Sequence, residues 1–325
     1  MTFNAYRLFD TDDRPQGRLV DMEIDDLSPG NVVIRTAYAS VNYKDALAAH
    51  GLNKLIREYP RIGGIDLTGT VAESQDPRFK EGDPVIVHGF GIGIDHDGGY
   101  AEYSRVPGDW VLPLPAGLTL REAAVIGVAG YTAALSINLM ELNGLRPDAG
   151  KVLITGATGG VASIAIDILA QLGYTIVAIT GKTDSHDYLR ELGASDILDR
   201  SVVTGTRPLE KAQWAGAIDS VGGDTLAWLT RTVQPQGVIA AFGNAAGPQL
   251  NTTVLPFILR GIRLIGVNAG SPMALRQEIW SRLGGDMKPR HLQRIAQQIQ
   301  LSDLPTAFQR LLDSQGRGRY LVALS

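Results

Sequence analysis

The chain has 325 residues, of which 44% are hydrophobic, and it carries a formal net charge of −4 at pH 7. This length can supply the cores of two domains, whereas charges of both signs spread along the chain argue against a surface that binds nucleic acid. Cysteine is absent, which excludes disulfides, thiolate nucleophiles and thiolate zinc ligands.

The start of the chain lacks the features of an exported protein. Met1-Thr2-Phe3-Asn4 has neither the charged nor the apolar region of a signal peptide, and we recognise no apolar run that approaches 18 residues. We therefore expect a cytoplasmic protein that does not enter a membrane.

Residues 1–120 have the pattern of a β-rich domain. Short apolar runs at 31–38, 68–72 and 84–87 are separated by Gly, Pro and Asp, as strands in a compact β domain are. Residues 43–49 predict a short helix that Asn42 can cap. Tyr43 and Lys44 then lie in its first turn.

Residues 121–288 alternate predicted helices and strands, which is typical of a doubly wound parallel sheet. The predicted elements are a helix at 121–140, strands at 152–155, 176–179, 197–198, 216–219, 238–242 and 264–267, and helices at 225–232 and 275–283. From residue 289 the tail predicts helices at 291–300 and 304–314 and a final strand at 320–324.

A glycine-rich turn joins the first of these strands to a helix. Strand 152–155 is followed by Gly156-Ala157-Thr158-Gly159-Gly160, and apolar residues recur at helical spacing from Val161 to Leu172. A glycine turn at a helix N-terminus lets a pyrophosphate approach unpaired N–H groups. Ala162 replaces the last glycine of the usual fingerprint, a position that tolerates alanine. The unit predicts a bound dinucleotide, although glycines also form ordinary turns.

The end of the second strand favours NADPH over NADH. Enzymes for the unphosphorylated coenzyme usually carry Asp or Glu there, whereas this chain reads Thr180-Gly181-Lys182-Thr183, with Arg200 after the next strand. A lysine and an arginine can hold the additional phosphate. Taken alone, Lys182 is also explained as a solvated loop residue.

Several segments together resemble a known family. They are 40–46, 64–71, 76–79, 98–102, 192–195, 214–219 and 256–260. The chain resembles, almost end to end, the zinc-free medium-chain dehydrogenases/reductases, and within them the NADPH-dependent acryloyl-CoA reductase and quinone-oxidoreductase-like group. The resemblance implies an α/β protein with two domains, an active site in the cleft between them, and a homodimer. The domains are a GroES-like β-rich catalytic domain at 1–120, joined by the tail 289–325, and a Rossmann domain for NADPH at 121–288.

The resemblance also implies roles for individual residues. The tyrosine that matches Tyr43 contacts the nicotinamide, and Asn244 and Ile258 match positions that line the coenzyme. Two departures stand out: Asn268-Ala269 replaces the expected Asp-Ser, and Asn244 replaces a more usual leucine. The remaining implied contacts hold the pyrophosphate, at Thr158, Gly159, Gly160 and Val161, and the adenosine phosphate, at Thr180, Gly181, Lys182 and Arg200.

A zinc site would require histidines and carboxylates, because cysteine is absent. Asp95-His96-Asp97 is the only suggestive cluster. Adjacent residues on an extended loop point in different directions, and the surrounding glycines predict a surface segment. We expect no catalytic metal.

The expected reaction is NADPH-dependent reduction of the carbon–carbon double bond of a short enoyl-CoA, acryloyl-CoA first. Hydride addition to the β-carbon moves negative charge onto the thioester oxygen, and the α-carbon then takes a proton. The Tyr43 hydroxyl, the Asn42 side chain and backbone N–H groups are candidate donors to that oxygen. Tyr43 could instead only pack against the nicotinamide, with water as the proton source.

Two other functions remain open. One is reduction of quinones or other enones, and the other is a non-catalytic NADPH-binding sensor on the same fold. Lys54, Arg57 and Arg61 are candidate ligands for the phosphates of coenzyme A, although a solvated basic face also explains their spacing.

Overall fold

The structure is a computed structural model, and it describes residues 2–12 and 14–324. These residues form two compact units. The first comprises the described residues up to Ala129, with Pro272–Gln277 and the described tail from Leu292, and the second comprises Gly130–Ser271 and Glu278–His291. The first unit thus extends past residue 120. The predicted domain limits remain a proposal.

Strands and helices alternate from the middle of the chain onward. The strands are β1 (Thr2–Phe9), β2 (Gln16–Glu23), β3 (Val32–Val41), β4 (Arg61–Ile62), β5 (Asp66–Ser74), β6 (Pro84–His88), β7 (Tyr103–Val106), β8 (Val111–Pro113), β9 (Lys151–Ile154), β10 (Thr175–Ile179), β11 (Asp196–Leu198), β12 (Trp214–Asp219), β13 (Val233–Ala241), β14 (Arg263–Gly266), β15 (Ala296–Ile299) and β16 (Arg319–Ala323). The α-helices are α1 (Tyr43–Ala49), α2 (Leu120–Leu142), α3 (Gly160–Gln171), α4 (His186–Glu191), α5 (Gly223–Thr232), α6 (Leu255–Arg260), α7 (Met273–Leu283), α8 (Leu292–Ile295) and α9 (Leu304–Leu312).

The first unit is built on two β-sheets. One has the strand order β2-β1-β4, and the other has the order β15-β16-β3-β5-β6-β8, with β7 also paired to β3. Helix α1 packs against α9, and a core that includes Phe3, Leu8, Ile62, Tyr100 and Phe308 fills the unit. This packing fixes the start of α1, where Tyr43 lies.

The second unit contains a parallel six-stranded sheet with the order β11-β10-β9-β12-β13-β14. Chain order reverses between β9 and β12, so their carboxyl ends flank the topological switch point at which such sheets bind ligands. Val152 to Ile154 of β9 are fully buried, as expected for a strand covered on both faces. The predicted α/β architecture is confirmed.

The predicted helix at 291–300 is wrong in its second half. Only Leu292–Ile295 is helical, and Ala296–Ile299 forms β15. These residues pair in parallel with Arg319 to Val322 of β16. Pairing with a strand distant in sequence has overridden local helical preference, which is a weak constraint over four residues.

The expectation that no apolar run approaches 18 residues is wrong for helix α2. By length and composition it could span a membrane, but 89% of its most apolar 18-residue window is buried inside the protein. That burial is typical of the core helix of a soluble protein. The helix is broken at Gly127, which has φ +48° and ψ −157°.

Candidate functional site

The glycine turn after β9 forms a backbone cradle at the start of α3. Gly156 has φ +57°, and a Cβ added to it would lie 2.4 Å from Ser220 Oγ, so glycine is required there by both conformation and space. Gly159 is the N-cap residue of α3, and no side chain caps this helix end. Exposed helix N–H groups with their partial positive charge suit a pyrophosphate, so the turn fits the expected dinucleotide.

The ends of β10 and β11 bring four predicted residues together. Thr180 N–H donates to Leu198 O (3.1 Å), and Lys182 N–H donates to Thr180 Oγ1 (3.1 Å). The Arg200 side chain lies over Gly181, where an added Cβ would be 3.1 Å from Arg200 Nε. Arg200 is exposed and Lys182 is half-buried, so both cations can reach a phosphate in solution.

The last two predicted coenzyme residues lie in different surroundings. Asn244 is exposed in the loop after β13, and a Cβ on Gly222 would be 3.0 Å from Asn244 Cα, so this loop packs against the loop after β12. Ile258 is 69% exposed on α6, beside Leu259 and Val254. Asn244 therefore lies at the same sheet edge as the glycine turn, whereas Ile258 belongs to an exposed apolar surface.

Tyr43 is the first residue of α1 and is 45% exposed. The backbone N–H of its neighbour Asn42 donates to Asp45 Oδ2 (2.8 Å), which fixes the first turn of the helix. The Asn42 amide points inward: Nδ2 donates to Asp66 Oδ2 (3.1 Å) and Oδ1 accepts from Arg319 (3.0 Å). Asn42 therefore fits a positioning role beneath Tyr43 better than the predicted role as a donor to substrate.

Asp66 is the centre of this buried polar network. Its Oδ1 accepts from Ser40 N (2.9 Å) and Ser40 Oγ (2.6 Å), and its Oδ2 accepts from Val128 N (2.9 Å). Arg319 lies 3.8 Å away, and both charged side chains are at most 4% exposed. The break at Gly127 frees the Val128 N–H for this bond. Asp66 thus connects the start of α1 to the kink of α2.

A second buried carboxyl lies beside the first. Asp45 Oδ1 accepts from Ile65 N (3.0 Å), and burial together with the nearby Asp66 raises the pKa of Asp45 to about 7. Burial lowers the pKa of Arg319 and raises that of Tyr100, which also faces these carboxyls. Sequence reasoning missed the Asp66–Arg319 pair, because its members are far apart in the chain and no spacing connects them.

The Asp95-His96-Asp97 segment is not the surface loop that the glycines predicted. Ile92, Ile94 and Tyr100 around it are buried. His96 Nε2 is 2.9 Å from Pro29 O, and its Nδ1 is 3.1 Å from Asp97 O. Within residues 2–12 and 14–324, no three His, Asp or Glu side chains are grouped to hold a metal. Metal independence remains a prediction.

The three candidate coenzyme A cations do not form one surface. Arg61 is largely buried, and its Nη1 donates to Ser28 Oγ (2.9 Å) and lies 3.6 Å from Asp97 Oδ1. The Arg61 charge is therefore paired with a carboxylate of this chain. Lys54 and Arg57 are exposed. Of the three candidate cations, only Lys54 and Arg57 are therefore accessible to the phosphates of coenzyme A.

Comparison with known proteins agrees with this architecture. Residues 28–116 match the alcohol dehydrogenase GroES-like domain, and residues 160–283 match the zinc-binding dehydrogenase domain. These matches confirm the predicted GroES-like and Rossmann parts.

Three similar proteins cover nearly the whole chain. The putative quinone oxidoreductase YhfP of Bacillus subtilis (strain 168) is 46% identical over 304 residues, 92% of each chain; its crystal structure with NAD bound has a TM-score of 0.97, with 44% identity over 100% of both chains. The probable acrylyl-CoA reductase AcuI of Escherichia coli (strain K12) is 45% identical over 300 residues, 92% of this chain and 93% of that protein. The yhdH oxidoreductase of Salmonella enterica, solved in complex with NADP, has a TM-score of 0.96 and 44% identity over 100% of both chains. The chain belongs to the medium-chain dehydrogenase/reductase family of oxidoreductases, within the group that contains YhfP and AcuI.

Proposed function

We propose that the protein uses NADPH to reduce the carbon–carbon double bond of a short enoyl-CoA, converting acryloyl-CoA to propanoyl-CoA. The coenzyme part of the proposal rests on Lys182 after β10 and Arg200 after β11, because Arg200 packs over Gly181 beside Lys182. The NADP complex of yhdH supports it, whereas yhfP was solved with NAD bound. The name of AcuI supports the substrate.

In this proposal, different residues bind the coenzyme, donate to the substrate oxygen and position the donor. The glycine turn 156–160 and the α3 N-terminus hold the pyrophosphate, and Thr180, Lys182 and Arg200 hold the adenosine phosphate. When bound, the reduced coenzyme supplies the hydride for the β-carbon, and the α-carbon of the resulting enolate then takes a proton to complete the reduction. The Tyr43 hydroxyl donates to the thioester oxygen as negative charge develops on it, and the Asp66–Arg319–Asn42 network holds the helix turn that carries Tyr43.

A second candidate function is reduction of quinones or other enones, as the name of YhfP suggests. The burial of Arg61 favours it, because one of three candidate cations for a thioester carrier is not available. A quinone needs the same hydride transfer but no carrier-binding surface.

A substrate panel distinguishes these functions. NADPH oxidation is followed with acryloyl-CoA, crotonyl-CoA and a benzoquinone at equal concentrations. We expect the highest kcat/KM with acryloyl-CoA. A higher value for the quinone would establish the second function, and coenzyme binding without turnover of any enone would indicate a non-catalytic NADPH sensor.

Replacing Tyr43 with Phe tests the role of its hydroxyl. If the hydroxyl stabilises the developing enolate, we expect kcat with acryloyl-CoA to fall about 10²-fold, with the affinity for NADPH little changed. Phe at position 43 keeps the ring, so lost packing cannot explain a fall in turnover. Unchanged turnover would show that the ring only packs against the nicotinamide.

We further propose that two copies of the chain associate through the β14 edge of the second unit. Strand β14 ends the six-stranded sheet, and an unpaired strand edge is a template for another chain. Next to it in the chain, α6 exposes Ile258 and Leu259, at 69% and 64%. Such an apolar surface is typical of an interface. We place this dimer in the cytoplasm.

A further inference from the structure

A buried carboxylate lies at the switch point of the parallel sheet. Asp219 ends β12 and is fully buried, and Thr155, which follows β9, is 1% exposed. Thr155 Oγ donates to Asp219 Oδ1 (2.7 Å), and Gly222 N–H donates to Asp219 Oδ2 (2.8 Å). The carboxylate therefore bridges the two strands between which chain order reverses.

The same residues fix the glycine turn. Ser220 N–H donates to Thr155 Oγ1 (3.1 Å), and Ser220 Oγ donates to Thr155 O (3.1 Å). Thr155 immediately precedes Gly156, whose missing Cβ leaves the space that Ser220 Oγ fills. Thr155 is thus hydrogen-bonded through its side chain to Asp219 and Ser220, and through its carbonyl oxygen to Ser220.

The loop after β13 is held from the other side. Phe242 N–H donates to Asp219 O (3.1 Å), and Ala246 N–H donates to Val221 O (2.8 Å). A Cβ on Gly243 would lie 2.0 Å from Ser220 O. The loops after the adjacent strands β9, β12 and β13 therefore meet around one carboxylate, through backbone atoms and through the side chains of Thr155 and Ser220.

Burying the Asp219 carboxylate costs free energy, so packing alone does not explain why a carboxylate occupies this position. Burial raises the pKa of Asp219, and the hydrogen bonds from Thr155, Gly222 and Val221 oppose that rise. Those three donors are uncharged, and an ionised group in such a site is costly to desolvate. An apolar residue would fill the space at lower cost, but it could not accept these bonds.

We propose that Asp219, acting through Thr155, is a positioning residue that sets the geometry of the pyrophosphate-binding turn. Asp219 is buried behind the turn and acts through the backbone that it holds. This inference rests on the proposed coenzyme function. Because NADPH and NADH share the pyrophosphate, loss of Asp219 weakens both coenzymes by the same factor, whereas loss of Arg200 weakens NADPH alone.

The test measures dissociation constants for NADPH and NADH by coenzyme fluorescence with the wild type, Asp219→Asn, Thr155→Val and Thr155→Ser. We expect Asp219→Asn and Thr155→Val to raise both constants by about tenfold, the loss of one hydrogen bond to a charged group. Thr155→Ser keeps the donor and should bind both coenzymes like the wild type. Thr155→Val removes only the hydroxyl from a side chain of similar shape, so it carries the test if Asp219→Asn folds poorly.

Asp167→Asn is the matched control, because Asp167 is also buried in the second unit and accepts hydrogen bonds from His291 N (2.8 Å) and Nδ1 (2.9 Å). It should lower thermal stability without changing either constant. Unchanged constants in folded Thr155→Val, or a change for NADPH alone, would overturn the proposal. A wild type that binds neither coenzyme would instead refute the proposed function.

Discussion

At the scale of single residues, we propose that Arg200 determines the preference for NADPH over NADH. Its side chain packs on Gly181 at the sheet edge, and the neighbouring Asp199 accepts a hydrogen bond from Ser201 N–H (2.8 Å). The Asp199 carboxylate is therefore directed to the backbone after β11. Arg200 thus lies beside the end of β10, where NADH-dependent enzymes usually carry Asp or Glu.

Replacing Arg200 with Ala should weaken NADPH binding by about 10- to 100-fold, since hydrogen bonds between charged partners contribute about 1.5–3 kcal/mol. NADH has no phosphate at this position, so its affinity should stay constant. Fluorescence titration with each coenzyme measures this. Arg190→Ala is the control, because Arg190 is exposed in the same unit and pairs only weakly with Asp187 (3.4 Å). Equal losses for both coenzymes would contradict the assignment.

Asp45 predicts a specific pH dependence of stability. Its pKa is raised from 3.8 to about 7, so the folded state binds this proton more tightly than the unfolded chain. Its contribution to stability is complete below about pH 4 and is lost as pH rises through about 7. Relative to Asp45→Asn, the free energy of unfolding of the wild type should therefore fall between about pH 4 and about pH 7 and change little above that.

Urea unfolding of both proteins across this range measures the difference. Asp187→Asn, which changes an exposed carboxylate, should give a difference from the wild type that does not vary with pH. A constant difference for Asp45→Asn as well would show that Asp45 is ionised throughout.

At the scale of elements, the sequence predicted the helices and strands that depend on neighbouring residues in the chain. Helix α1 has the predicted bounds, because Asn42 stands at its N-cap with its N–H bonded to Asp45 and helix-compatible residues follow. The strand–turn–helix unit at β9 and α3 follows from its glycines and apolar spacing. Strand β15 escaped prediction because its partner β16 lies beyond α9. The Asp66–Arg319 pair escaped for the same reason: tertiary contacts leave no local pattern.

The Asp66–Arg319–Asn42 network at the start of α1 depends on the kink of α2. Gly127 has φ +48°, and an added Cβ would lie 2.6 Å from both Asp66 Oδ2 and Ser40 Oγ. Gly127→Ala should therefore lower the free energy of unfolding by about 3–5 kcal/mol, since it adds both backbone strain and a clash with a buried network. Urea unfolding measures this change.

Gly144→Ala separates strain from clash. Gly144 also has a positive φ, of +94°, but no atom of the described residues lies within 4 Å of an added Cβ. It should cost only about 1–2 kcal/mol. Similar losses for the two variants would mean that contact with Asp66 contributes nothing.

At the scale of the whole molecule, the exposed apolar surface on α6 predicts association. A charge at Leu259 should separate the proposed dimer, so Leu259→Asp should halve the mass measured by light scattering. Leu142→Asp changes a residue that is more exposed, at 75%, at the end of α2, and it should leave the mass unchanged. A wild type with the mass of one chain would refute the dimer directly.

The contact among the loops after β9, β12 and β13 has a consequence for which nearby side chains can vary. Because Gly156, Gly222 and Gly243 make room for neighbouring backbone and for Ser220, the shape of that edge depends little on the outward-facing side chains nearby. The exposed side chain of Asn244 can therefore vary in sequence while the proposed coenzyme site keeps its shape.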